Sequence, residues 1–240
     1  MSIRATFAAF AAAFVTVAVQ TGASAATKIP PPPPMPPPSD FVAHVDNKYF
    51  PLQPGTVFHY QGMENDRPAV DKVTVTNTTK TILGVHATVV LDRVDVNGKP
   101  SEKTFDWYAQ DRRGNVWYRG EAAFEYKHGH WVRADDSWEA GVDGAKAGII
   151  MEAHSSVGDV YRQEYYPGHA EDIAEVLSLH ASLSVPYGSF DHVLQTKEWT
   201  PLERGVVDNK WYAAGVGEIS ERTVKGGSDF LELVSVTHPA

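Results

Sequence analysis

The tripeptide Trp107-Tyr108-Ala109 is written a second time, as Trp211-Tyr212-Ala213. The spacing is 104 residues, and the same offset carries Gly84 onto Gly188 and Val89 onto Val193 without a gap. Upstream, Pro54-Gly55-Thr56-Val57-Phe58 is echoed by Val157-Gly158-Asp159-Val160-Tyr161. A period of this length points to one supersecondary unit used twice, with the repeats expected at 50–121 and 153–224. Short runs rich in Val, Thr, Tyr and Trp alternate with turn residues at intervals of roughly ten positions, and no segment shows a helical repeat. The expected fold is therefore all-β, an antiparallel barrel or half-barrel built from two repeated β-meanders.

The clearest local unit is Val85 to Val96, Asn97-Gly98 and Lys99 to Gln110. Asn-Gly between alternating β-formers specifies a two-residue hairpin turn. An uninterrupted ladder from that turn places Arg93 opposite Glu102, Asp92 opposite Lys103, Val90 opposite Phe105 and Thr88 opposite Trp107. A second hairpin is expected at Gly168-His169, with Arg162 facing Glu175 and Glu164 facing Ile173. Trp107 and Tyr108 point to opposite faces of their strand, so only one of each duplicated pair can line a cavity.

Before the first repeat, Met1-Ser-Ile-Arg4, the apolar run Ala5 to Val19 and Ala23-Ser24-Ala25 have the form of a secretory signal. Residues 1–25 are read as that signal, 26–40 as a proline-rich linker and 41–240 as a single β domain. Pro30 to Pro34 and Pro36 to Pro38 must be extended, and the tract reads as a stiff spacer or, in a third view of the protein, as a contact for a partner. The chain contains no cysteine, which removes disulfides, thiolate metal ligands and thiol nucleophiles. A net charge of -9 with dispersed basic residues argues against nucleic acid as a partner. Stable membrane insertion is not expected, and the location implied is periplasmic or secreted, in a bacterium.

The stretches Asp106-Trp107-Tyr108-Ala109-Gln110-Asp111 and Trp211-Tyr212-Ala213-Ala214-Gly215-Val216-Gly217 resemble exported bacterial β-rich proteins of unassigned function. The Tyr-Ala-x-Gly-Val-Gly turn after a long strand also resembles the half-barrel or lipocalin-like folds of envelope proteins. That resemblance implies a concave sheet holding a lipid or another apolar ligand. It carries over no catalytic residue.

Three groups of residues can carry chemistry. His128, His130 and His154 are the candidate metal ligands, since a cysteine-free exported protein binds zinc or copper through imidazole and carboxylate; their spacing fits no established metal motif, and exposed turn histidines are the simpler reading. Glu121, Glu139, Asp143, Glu164, Glu171 and Asp172 lie near aromatic residues, where burial raises a carboxyl pKa and suits it to acid–base work. Glu164, His169 and Glu171 are the catalytic candidates, against the plainer reading of charged cross-strand partners on a wet face. Trp107, Tyr118, Tyr166 and Trp211 are the candidate ligand contacts, and a β core uses such aromatics equally well. Gly-x-Ser-x-Gly and phosphate-cradling glycine loops are absent, and no cofactor is specified. The first functional reading is an exported binding protein for an apolar or aromatic small molecule or lipid. The alternative is a periplasmic enzyme with a His/carboxylate site, with or without a metal, between the two repeats.

Overall fold

The computed structural model describes residues 29–239; the signal at 1–25 and the first three linker residues lie outside the described residues. Thirteen strands form one continuous antiparallel path: β1 (Val57–Glu64), β2 (Arg67–Ile82), β3 (Val85–Val96), β4 (Lys99–Gln110), β5 (Val116–Lys127), β6 (Lys146–Met151), β7 (Val160–Arg162), β8 (Glu164–Tyr165), β9 (Ile173–Val185), β10 (Gly188–Trp199), β11 (Val207–Ala213), β12 (Gly217–Lys225) and β13 (Phe230–Thr237). Strands β1 to β6 form one meander and β9 to β13 the other, and they join where β13 pairs with β1. The free ends of the path are β7 and β8, separated in the chain by Gln163 alone. Strand β7 pairs with β9, and β8 pairs with β6. One six-residue segment therefore bridges the two ends, and the sheet becomes a nearly closed barrel.

The repeats enter their first strands by the same hydrogen bonds. Gly55 N donates to Val75 O at 2.8 Å, and Gly158 N donates to Val176 O at 2.8 Å. Val75 N returns a bond to Thr56 O, and Val176 N returns one to Asp159 O, each at 2.9 Å. Both glycines have a left-handed backbone, with φ of 89° and 92°. The echo around Gly55 and Gly158 is thus a shared turn that only glycine adopts cheaply.

The Asn97-Gly98 turn forms with φ of 51° and 69°, and Val96 pairs with Lys99 across it. The ladder beyond it differs from the uninterrupted register. Pairing passes from Asp95↔Pro100 to Val94↔Glu102, leaving Ser101 as a bulge. Pro100 has no N–H to offer the ladder, so an irregularity is cheap beside it. Arg93 consequently faces Lys103, Asp92 faces Thr104, Val90 faces Asp106 and Thr88 faces Tyr108. Arg93 finds its counter-charge in Asp95 on its own strand, at 3.4 Å.

The second hairpin also departs from expectation. Its tip takes three residues, with Tyr166 bridging to Ala170, so Arg162 pairs with Ile173 and Glu175 with Val160. Glu175 instead receives Lys197 at 2.8 Å. Glu164 leaves this hairpin and joins β6, opposite Ala147. The ungapped offset between repeats likewise changes across strands. Val89 pairs with Trp107, but the residue paired with Trp211 is Gln195, two positions beyond Val193.

The proline tract lies against the barrel. Pro30 O accepts from Arg162 Nε at 3.0 Å, Ser39 O accepts from Arg112 Nε at 3.0 Å, and Met35 packs on the core. Arg119, fully buried, donates to Met35 Sδ at 3.1 Å and Ile82 O at 2.7 Å. The segment read as a spacer is therefore docked, and it is extended only as far as Pro37: Pro38–Asp40 closes into a short 3-10 helix. Beyond it, Asp46–Asn47 and Phe50–Pro51 pair as a small hairpin, and Lys48 O accepts from Gly215 N at 2.7 Å, tying it to the turn between β11 and β12.

Outward positions include the charged residues Lys72, Arg93, Lys103, Glu175, Lys197 and Arg222. Among the described residues no helix is long and apolar enough to cross a membrane.

Barrel closure depends on close approach at Gly148, where an added Cβ meets Arg162 O and Gln163 O at 2.4 Å. Gly148→Ala is expected to lower the unfolding free energy by about 1–3 kcal/mol in urea. Gly188→Ala, whose Cβ meets only the Phe190 ring at 3.6 Å, is expected to cost much less.

Candidate functional site

In a closed antiparallel barrel, alternate residues of every strand point inward. The Ser101 bulge decides which ones do so on β4: Asp106 and Tyr108 share a face with Val90, Asp92 and Val94, and all five line an interior cavity. On β11 the same face presents Lys210 and Tyr212. Phe50, Phe58, Tyr60, Leu231 and Val216 complete much of the apolar wall. Asp71, Glu102, Glu218 and Glu221 add carboxylates.

The two repeats place equivalent groups here. Asp106 lies between Val90 and Glu121 on the neighbouring strands, and Lys210 lies between Thr196 and Glu221. In the second repeat Lys210 Nζ collects Glu221 at 3.5 Å, Glu198 at 3.6 Å and Glu218 at 3.8 Å. Burial disfavours the ammonium, but these carboxylates outweigh it and hold the Lys210 pKa well above its usual value. Burial also opposes the charge on Glu198, and Lys210 reverses that, leaving its pKa below the ordinary range. Tyr212 Oη donates to Glu198 Oε1 at 3.2 Å.

In the first repeat an aspartate stands where the lysine would be, and the carboxylates must keep protons instead. Asp71 and Asp92 share a hydrogen bond. Burial pushes Asp71 up to about 7, partly opposed by that bond. Burial, reinforced by the charge of Asp71, holds Asp92 well above the carboxylate range. Burial and the Asp92 charge push Glu102 to about 8. Tyr118 Oη is 2.6 Å from both Asp106 Oδ1 and Glu121 Oε2. A phenol has one proton to donate, so one of these two acids must be protonated and donate to Tyr118 in return. Burial first, and the nearby charges of Glu164 and Asp106 second, raise Glu121 strongly; Asp106 is raised by burial only to about 6 because Tyr118 stabilises its anion. Glu121 is therefore the acid and Asp106 the carboxylate of the trio above that pH. Asp106 Oδ2 and Asp71 Oδ1 are buried without a hydrogen-bond partner.

The residues singled out in the sequence distribute unevenly around this cavity. Tyr118 stacks on the lining residue Tyr108 at 4.9 Å and takes part in the carboxyl network. Trp107 and Trp211 alternate with the inward tyrosines and are absent from the lining. Trp107 is buried under Lys80, whose Nζ is 3.5 Å from the ring centroid. Tyr166 stacks on His169 at 4.3 Å in the turn after β8. Glu164 is buried and accepts from Trp138 Nε1 at 2.8 Å, whereas His169 is exposed and 3.1 Å from Asp135 O. Glu171 accepts from Gly168 N at 2.9 Å and meets Arg162 at 3.7 Å. His128 and His130 are exposed on the turn after β5, and His154 is exposed between β6 and β7. Among the described residues no three His, Asp or Glu side chains form a group able to hold a metal ion.

Sequence reasoning listed Glu121 among the carboxylates but passed over Asp71, Asp92, Asp106 and Lys210. A signal existed in the alternation Val90-x-Asp92-x-Val94, which puts an acid in phase with core valines. Another lay in Asp106-x-Tyr108 and Lys210-x-Tyr212, a charged residue two before the repeated tyrosine.

The raised carboxyl pKa values fix the sign of the pH dependence. Unfolded, Asp71, Glu102, Asp106 and Glu221 lose their protons near the ordinary values of 3.8 to 4.5; folded, they hold them to about 6–8. Stability in the absence of ligand is therefore expected to fall as pH rises from about 4.5 to about 8, measured by urea unfolding at fixed ionic strength. Lys210→Met leaves three carboxylates without their cation and is expected to cost about 3–5 kcal/mol at pH 8. The cost shrinks at pH 5, where more of those groups are protonated.

No protein-family model matches the chain, and no curated protein matches it. Among solved structures it is similar to a crystal structure of a putative lipoprotein from Parabacteroides distasonis ATCC 8503, at 13% identity and a TM-score of 0.43, over 80% of this chain and 99% of that one.

Proposed function

We propose that the protein is an exported binding protein that holds a small molecule with an apolar or aromatic body inside the barrel. The observation that carries this reading is the cavity wall, where Phe50, Phe58, Tyr108, Tyr212 and Leu231 converge with a set of acidic side chains and Lys210. Apolar area in such a wall supplies affinity and its polar groups fix orientation. Each Å² of apolar ligand surface withdrawn from water contributes about 25 cal/mol. Tyr60 and Tyr212 suit ring contacts, since their hydroxyls are held elsewhere: Tyr60 donates to Glu218 O at 2.9 Å and Tyr212 to Glu198. Export rests on the charged, apolar and small-residue pattern of residues 1–25.

Titration with a panel of apolar dyes and small aromatic compounds is expected to give saturable changes in intrinsic fluorescence. Tyr108→Ala and Tyr212→Ala are expected to weaken the tightest aromatic binder by about tenfold each, or ~1.4 kcal/mol. A panel that produces no saturable signal with the parent protein sinks the reading.

A further inference from the structure

The two repeats build the same wall with opposite charge at one position. In the second, Lys210 draws Glu198, Glu218 and Glu221 together. In the first, Asp106 occupies the matching place, two residues before the matching tyrosine, and adds another acid to Asp71, Asp92 and Glu102. Two oxygens of that group, Asp106 Oδ2 and Asp71 Oδ1, are buried beside the cavity without a hydrogen-bond partner, although their side chains are only 0% and 6% exposed. Unpartnered carboxylate oxygens in such a place are costly unless something supplies donors. Asp106 Oδ2 is not needed to hold a neighbour, because Tyr118 binds Asp106 through the other oxygen, Oδ1, whereas Asp71 also shares a hydrogen bond with Asp92. The rings of Tyr60, Tyr108 and Phe58 line the same cavity and can present faces to a cation.

We propose that the cavity selects an organic cation, a protonated amine on an apolar or aromatic body, whose ammonium sits against Asp106 and Asp71 and does in the first repeat what Lys210 does in the second. This rests on the binding reading above and narrows it to a ligand class. The apolar body occupies the wall formed by Phe50, Val90 and Leu231, and the ammonium donates to the carboxylates of Asp106 and Asp71, whose side chains line the cavity. A neutral ligand leaves both oxygens unmet, and an anionic one adds charge to an acidic chamber. Discrimination therefore comes chiefly from the price of an unmet partner.

The test is isothermal titration of the parent protein at pH 8, where Asp106 is ionised, with two matched series: 2-phenylethylammonium, 2-phenylethanol and 3-phenylpropionate, and hexylammonium, hexanol and hexanoate. The ammonium of at least one series should bind about tenfold or more tighter than its alcohol, and the carboxylate weakest. In Asp106→Asn, which keeps an acceptor for Tyr118, the ammonium-to-alcohol ratio should fall toward one, and Asp71→Asn should lower it in the same direction. Alcohols that bind as well as the ammonium ions overturn the cation assignment and leave the binding reading standing. A preference for ammonium that persists unchanged in both variants places the cation elsewhere and overturns it as well. If no member of either series binds, both readings fall.

Discussion

The structure depends on one short segment that pairs on both sides. Val160–Arg162 adds to β9, Gln163 donates its backbone N–H to Asp172 O at 2.9 Å, and Glu164–Tyr165 then crosses to β6. Without that crossing, β6 and β9 would be the open edges of a long sheet, each offering unpaired N–H and C=O groups. With it, the two meanders enclose an interior, and the inner face of each strand loses its solvent. Gly148 permits the crossing because the backbone at Arg162 and Gln163 stands where a Cβ would be.

Enclosure makes the chemistry of inward positions costly, and the barrel answers in two ways. Around Lys210 the carboxylates are ionised or partly so and share one cation. Around Asp106 they share protons, with Tyr118 relaying between Glu121 and Asp106 and with Asp71 hydrogen-bonded to Asp92. A chamber built only for stability would hold valine and leucine at these places, since replacing buried ionic groups with apolar ones is often neutral or stabilising. Local rules broken in a closed interior are the places where function is expected to compensate. The two meanders enter their first strands by the same turns, while one matching inward position is aspartate in the first and lysine in the second.

The exposed histidines show a different contrast. His128, His130, His154 and His169 are prominent in the sequence because imidazoles are chemically versatile, yet all are exposed: three sit in turns or connecting loops, and His130 opens a short strand paired with Lys127 of β5. The proline tract is equally conspicuous. Its backbone is extended up to Pro37 and turns into a short 3-10 helix at Pro38–Asp40; its carbonyls at Pro30 and Ser39 accept from arginines of the barrel, and Met35 covers the buried Arg119. Composition fixed the extended part of that tract and said nothing of where it lies.

Much of the architecture was legible because β structure writes itself locally: the period of two, the Asn97-Gly98 turn, and glycines at 55 and 158 that need a left-handed backbone. From these the sequence alone determined an all-β antiparallel barrel or half-barrel made of two meanders, and that Trp107 and Tyr108, or Trp211 and Tyr212, face opposite ways. Which of each pair faces inward was decided only by the tertiary structure. A single extra residue at Ser101 shifts every side chain of β4 to the other face relative to β3, and a ladder's register is not recoverable from alternation once a bulge intervenes. That one slip exchanges Trp107 for Tyr108 and Asp106 at the wall of the cavity. The gathering of distant carboxylates around it follows from closure, which brings together residues of β2, β3, β4, β11 and β12 that no local pattern connects.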